Sequence, residues 1–370
     1  MQIHQTLRMR STVLLSYIKY IAVLFIISVS GLVFLRFPET AGQGISEGID
    51  ICLGTLIPSL YPFLIIASLV VNLDIVTAAE NYFSAISGVL FRLPGKCAGV
   101  IFLSMIGGYP VGAKIIRELY KKNEITSAQA KQLMSFCVNP APSFVISSVG
   151  FYMLGSKRIG FIMYFSIILS SLIIGFFSRF FADAEENIYI EKSSWKYSPD
   201  FSDAIIKSIS SASKTMLNIC SWVILFSCIN KLIEISLLGN TAKFTLFTLL
   251  EVTNGCLVAS TNLPVPIIAG IISFSGICTH FQLMSAVNEI GLEYRYFLAS
   301  RILSGALSAV ICSFILNIYP VSYDVFSYGT LPKNLVSSAS LPVSVGMLIM
   351  CFLFVLGDNF HIKIRKKAGN

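Results

Sequence analysis

Three stretches of this chain, about 159 to 182, 217 to 238 and 296 to 318, are long and predominantly apolar. About twenty apolar residues of helix cross the hydrocarbon of a bilayer, and there every backbone polar group must be satisfied within the chain, so helices are the elements that remain. Composition agrees, because 12% charged residues is half of what a water-soluble domain carries and 55% are hydrophobic. The fold class read from this is an all-α polytopic membrane protein.

A first apolar run, roughly 13 to 35, exceeds the core of a signal peptide and lacks a small-residue cleavage site, so it reads as a retained span. His4, Arg8, Arg10 and Lys19 lie before it or at its start, and the basic tail "HIKIRKK" (361 to 367) follows the apolar stretch 341 to 357. The positive-inside bias then places both ends in the cytoplasm, with an even number of crossings. The same scattering of cations beside apolar runs explains the net charge of +8 without a nucleic-acid partner. Nine cysteines lie in or beside apolar stretches with no C-x-x-C and no His at ligand spacing, so they read as packing thiols.

Four other apolar segments are interrupted. "CLGTLIPSLYPFLIIASLVV" (52 to 71) carries Pro58 and Pro62, "CAGVIFLSMIGG" (97 to 108) runs into Tyr109 and Pro110, "FCVNPAPSFVISSVGFYML" (136 to 154) is split at Asn139 to Pro142, and "VPIIAGIISFSGICTH" (265 to 280) is short and ends on polar residues. They read as broken helices or re-entrant hairpins. A shift of 169 residues lays "FLSMIGGYPVGAK" over "IISFSGICTHFQL", so two repeats, of inverted topology, are expected. The expected organisation is an N-terminal span (1 to 40), a first repeat (41 to 180), an exposed connector (181 to 208), a second repeat (209 to 320) and a C-terminal span with its tail (321 to 370).

The stretch "GGYPVGAK" (107 to 114) has the glycine spacing of a phosphate-binding loop, but Ala113 stands where the lysine belongs and Ile115 cannot hold a metal. After it, Ile115, Ile116, Leu119 and Tyr120 form one side of a helix against Lys114, Arg117, Lys121 and Lys122, and Thr126 with Gln129 fits a capping box. No G-x-S-x-G, H-E-x-x-H or nucleotide fingerprint occurs, so neither catalysis nor a cofactor or metal is expected.

Unwound backbone in a membrane lines a wet cavity or is buried in protein, and free helix ends there attract ions. The candidate solute-binding residues are therefore those at the interruptions: Ser104, Gly107, Gly108, Tyr109 and Lys114; Asn139 and Ser143; Glu251 and Asn254, in "LLEVTNG"; and Ser273, Ser275, Thr279, His280 and Gln282. For the hydroxyls the competing reading is a bond back to their own helix, for His280 a hydrogen-bonded packing role, and for Lys114 a side chain snorkelling to the membrane surface.

"SLYPFL", "GGYPVGAK" with the basic helix after it, "SFCVNPAPSFVISSVG", "LLEVTNG" and "SFSGICTHFQ" together resemble the YlbJ (SpoVV) family of sporulation integral membrane proteins, over about 45 to 305. The family falls in the nucleoside-recognition or Gate-domain group, which includes parts of concentrative nucleoside transporters. The resemblance implies a Gate-like fold and a transporter of dipicolinic acid in the outer forespore membrane. The partners expected are this small solute, the bilayer and, compatibly, further copies of the chain. A nucleoside-like solute, read by Glu251, Asn254 and Gln282, and a non-transporting assembly role are the alternatives.

Overall fold

A computed structural model of the chain describes residues 20–21, 24–25, 27–73, 87–180 and 200–321. The basic residues at the N-terminus, most of the connector and the C-terminal span with its tail lie outside the described residues. Among the described residues the structure is helical, with no strand.

Helix α1 (Ile27–Arg36) bends at Phe37, the residue before Pro38, into α2 (Pro38–Ile51). A π-helical turn, Cys52–Leu56, carries the chain without a gap into α3 (Ile57–Asn72). The expected interruption at Pro58 and Pro62 is thus corrected. Pro58 and Pro62 are both accommodated within continuous helix, directly after the widened π turn.

The other three interruptions are real. Helix α4 (Lys96–Gly107) stops at Gly108, and α5 (Tyr109–Lys121) begins on its far side. Gly108 has φ 85° and ψ 175°, a conformation essentially restricted to glycine. Helix α6 (Ser127–Phe136) opens on the capping box of Thr126 and Gln129 and ends before the non-helical residues 137–141. A π-helical segment, Ser143–Met153, and α7 (Lys157–Ser178) complete the first half.

The second half begins with α8 (Phe201–Glu234), which starts inside the stretch read as connector. Helices α9 (Asn240–Leu250) and α10 (Val252–Asn262) meet at Glu251, and α11 (Val265–Phe274) meets α12 (Gly276–Ile290) at Ser275, which is left-handed with φ 77°. Helix α13 (Tyr294–Ile318) closes the described chain.

Two apolar cores hold these helices. One gathers α3, α4, α5, α6, α8 and α12, and the other gathers the second π-helical segment, α7, α10, α11 and α13. Small residues set the closest crossings: a Cβ added at Gly44 or Gly48 would fall 2.7 Å from the backbone of α8, so α2 and α8 pack backbone to backbone. Large apolar side chains point outward instead, among them Phe161, Phe165, Phe102 and Phe314. In water such a surface would be unstable, and in a bilayer it meets lipid tails. Among the described residues four helical stretches, Lys157–Ser178, Phe201–Glu234, Val265–Met284 and Tyr294–Ile318, are long and apolar enough to cross.

Candidate functional site

The breaks converge. Gly108 lies against Ala141 of the second interruption, where an added Cβ would be 3.2 Å from that methyl group, and Gly276 lies against the amide of Val252, at 3.1 Å. The Tyr109 hydroxyl donates to the Ile272 carbonyl at 2.6 Å, tying the first break to the end of α11. Further along α5, Gly112 approaches the Cys137 carbonyl so closely that a Cβ would sit 2.0 Å from the oxygen. Glycine is required there by space rather than by φ.

A small cavity, of about 60 Å³, lies at this convergence. Gly107, Gly108, Tyr109 and Pro110 form one wall, Ala141 and Phe144 another, Glu251, Val252 and Thr253 a third, and Thr279 with Gln282 the fourth; leucines of α3 and Ile219 with Val223 of α8 complete it. Its lining is mainly apolar, with a few polar groups placed at the breaks, the usual make-up of a small-molecule site.

The helix ends around the cavity are not equivalent. Glu251 is buried and caps α10, its Oε1 accepting from the Thr253 amide at 2.9 Å and its Oε2 from the Asn254 amide at 2.7 Å. A carboxylate so placed compensates the positive end of α10. The N-terminus of α5 has no side-chain cap, and its first residues line the cavity. Pro110 carries no N–H and the Val111 amide donates to the Gly108 carbonyl at 3.1 Å, so this end offers an anion the positive end of the helix dipole rather than a row of free donors.

Pro110 and Gln282 also border a second space, a cleft of about 580 Å³ between α5, α8 and α12. Its charged lining is Lys114, Arg117 and Lys121 from α5 and Lys207 and Lys214 from α8, against the single carboxylate of Glu118. Beside it, Arg117 grips Glu289 of α12 by two hydrogen bonds, Nε to Oε2 at 2.6 Å and Nη2 to Oε1 at 2.5 Å, and Lys121 reaches the same carboxylate at 2.9 Å. Glu289 lies beyond the apolar stretch that ends at Met284. These partners hold its carboxyl down at about 2.

No family model matches the chain, and no solved structure matches it. It is 23% identical over 370 residues to the sporulation integral membrane protein YlbJ of Bacillus subtilis (strain 168), with 86% of this chain and 90% of that one covered. That similarity supports the resemblance to the YlbJ family read from the sequence.

Of the sites expected from sequence in this YlbJ relative, Gly107, Gly108, Tyr109, Glu251, Thr279 and Gln282 line the cavity. Lys114 lines the cleft instead. The others stand behind the walls. Ser104 donates back to the Ile101 carbonyl at 2.7 Å, Asn139 donates to the Phe136 carbonyl at 3.0 Å, and Ser273 pairs with Ser304 at 2.7 Å. Asn254 turns to Ser227 at 3.1 Å, and Ser275 bonds the neighbouring Phe274 carbonyl. His280 is buried between Tyr294 and the Phe274 carbonyl, at 3.2 and 3.0 Å, as a packing residue would be. The Ser143 hydroxyl is buried without a partner. Among the described residues no group of His, Cys, Asp and Glu side chains could hold a metal ion.

Arg301 was not among the sites expected. It is fully buried in α13 and donates from Nη1 to the Val138 carbonyl and from Nη2 to the Ser135 carbonyl, both at 2.5 Å. These are the carbonyls left over where α6 ends, so the guanidinium satisfies a helix terminus inside the protein. Its own sequence held the signal, a cation inside the apolar run 296 to 318.

Proposed function

We propose that this chain is an integral membrane transporter for a small anionic solute, with dipicolinic acid favoured, acting across the outer forespore membrane during sporulation. The observation that carries the reading is a pair of neighbouring spaces that share Pro110 and Gln282: a mainly apolar cavity at the meeting of the helix breaks, bordered by an uncapped helix start, and a cleft lined by five cations and one carboxylate. Basic walls concentrate anions at the mouth, and the cavity beyond suits a flat ring. The relative's name, a sporulation integral membrane protein, supports the setting.

A Gate-like architecture of two inverted repeats belongs to the same proposal. Helices α4 and α5 about Gly108 and helices α11 and α12 about Ser275 and Gly276 recur at an offset of about 168 residues, as do the start of α6 and the start of α13. Sites built where two repeats bring broken helices together are a recurring device of secondary transporters.

A neutral, nucleoside-like solute is the second reading, favoured by Thr279 and Gln282 in the cavity wall. It is weakened by Asn254, which is turned to Ser227, and by Glu251, whose two oxygens are occupied by backbone amides. Uptake of labelled dipicolinate and of labelled nucleosides into proteoliposomes separates the readings. Dipicolinate uptake above that of empty liposomes is expected; nucleoside uptake alone would establish the second reading, and no flux of either would favour an assembly role.

A further inference from the structure

Two residues border both spaces and mark the neck between them, Pro110 of α5 and Gln282 of α12. Arg117 stands seven residues beyond Pro110, and Glu289 seven residues beyond Gln282. Seven residues are two helical turns to within about 20°, so each helix carries its charged group on the face of its neck residue, roughly 10 Å further along. There the helices are tied. The Arg117 guanidinium donates to both oxygens of Glu289, at 2.6 and 2.5 Å, and Lys121, one turn on, reaches the same carboxylate at 2.9 Å.

We propose that Arg117, Lys121 and Glu289 form a clasp that holds α12 against α5 and so keeps the neck between cleft and cavity shut. Helix α12 begins at the break at Ser275, an element end of the kind that absorbs a change of angle. Gln282 lies midway between that break and Glu289, seven residues from each, so a swing of α12 that parts the clasp also draws Gln282 away from Pro110. The two-pronged guanidinium fixes orientation as well as distance. The side chains of Arg117 and Glu289 are 34% and 35% exposed, so water and salt reach the clasp, and a tie of this kind is weak enough to open. Ser127 adds a neutral bond at the same end of α12, donating to the Ile290 carbonyl at 3.1 Å, which salt does not screen. The inference rests on the transport reading for its purpose and adds to it what closes the passage.

The test needs no solute. Thr279 lines the cavity and not the cleft, whereas Lys207 lines the cleft and is exposed, so Thr279→Cys reports passage through the neck and Lys207→Cys reports the cleft alone. The full-length purified protein carrying either cysteine is treated with N-ethylmaleimide, an uncharged probe, and labelling is followed by peptide mass spectrometry, which counts the native cysteines apart. Adding Glu289→Gln is expected to speed labelling at Thr279→Cys about two- to fivefold and to leave Lys207→Cys unchanged. High salt is expected to speed Thr279→Cys in the same direction where Glu289 is present and to add nothing where it is Gln. Unchanged labelling of Thr279→Cys by substitution and by salt would overturn the inference. An equal rise at both cysteines would mark general loosening and overturn it too, as would a rise with Glu289→Gln that salt does not reproduce. Because labelling is read without transport, absence of dipicolinate uptake beside a salt-sensitive neck would remove the transport reading and leave the clasp.

Discussion

Arg301 and Val138 are joined by a hydrogen bond of 2.5 Å from guanidinium to carbonyl, so a buried side chain of the second half holds the unwound chain of the first. A second bond to Ser135 fixes the end of α6 in the same grip. A buried arginine is costly in hydrocarbon, by about 2.5 to 3.5 kcal/mol on insertion scales, and the carbonyls it serves would otherwise have no partner.

Replacing Arg301 by Met removes both donors and leaves the carbonyls unsatisfied. The expected loss is about 3 kcal/mol of stability, read as a lower unfolding midpoint in detergent by fluorescence-detected gel filtration. Lys, with a single charged head, is expected to recover part of it. A midpoint equal to wild type in Arg301→Met would show that the unwound segment 137–141 holds its shape without the guanidinium.

The glycines of "GGYPVGAK" are expected to fail for different reasons. Gly112→Ala forces a methyl group onto the Cys137 carbonyl, with no flexible side chain to move aside, at about 3 kcal/mol. Gly108→Ala meets a backbone that alanine rarely adopts, costing about 1 to 3 kcal/mol. Gly42→Ala has open space and should leave the unfolding midpoint unchanged. Indifference of Gly112→Ala would mean that α5 does not pass the Cys137 carbonyl this closely.

The ion pairs of Glu289 predict a response to acid and salt. Arg117 and Lys121 depress its carboxyl below the ordinary 4.5 to about 2, so its contribution is complete above about pH 4.5 and is lost as the pH falls toward 2. Because the partners are partly exposed, Glu289→Gln should cost no more than about 1 kcal/mol at pH 7. The difference from wild type should shrink in high salt and at pH 3. A difference that persists under both conditions would point to packing rather than charge.

How much could be read from the sequence followed from the kind of residue involved. The breaks at Gly108, at Asn139 to Pro142 and at Ser275 were legible because glycine, proline and polar residues interrupt apolar runs for reasons local to the backbone. The interruption expected at Pro58 and Pro62 was not one, since a π turn that ends two residues before Pro58 relieves the strain and leaves no mark in composition. The cap at Thr126 and Gln129 was also a local matter and formed as expected. Lys207 and Lys214 escaped notice because they join the site only when α8 packs beside α5 and α12. Ser104, Asn139 and Ser273 resembled site residues in sequence, yet their hydrogen bonds are made within the packed helices.

Topology gives an independent check on the proposal. Reporter fusions at the two ends should both report cytoplasm, as the basic residues near Arg8 and at "HIKIRKK" imply. An external C-terminus would give an odd number of crossings and overturn the inverted-repeat arrangement.

The central claim is that solute passes from the cleft into the cavity at the helix breaks, and Gln282 borders both spaces. Labelled dipicolinate uptake into proteoliposomes carrying wild type or Gln282→Trp tests it most directly, with gel filtration confirming that both proteins are folded. Wild type is expected to take up the solute, and the indole, filling the neck, is expected to reduce uptake at least tenfold. Equal uptake by the two proteins would contradict the proposed route, and absence of uptake by folded wild type would contradict transport of dipicolinate itself.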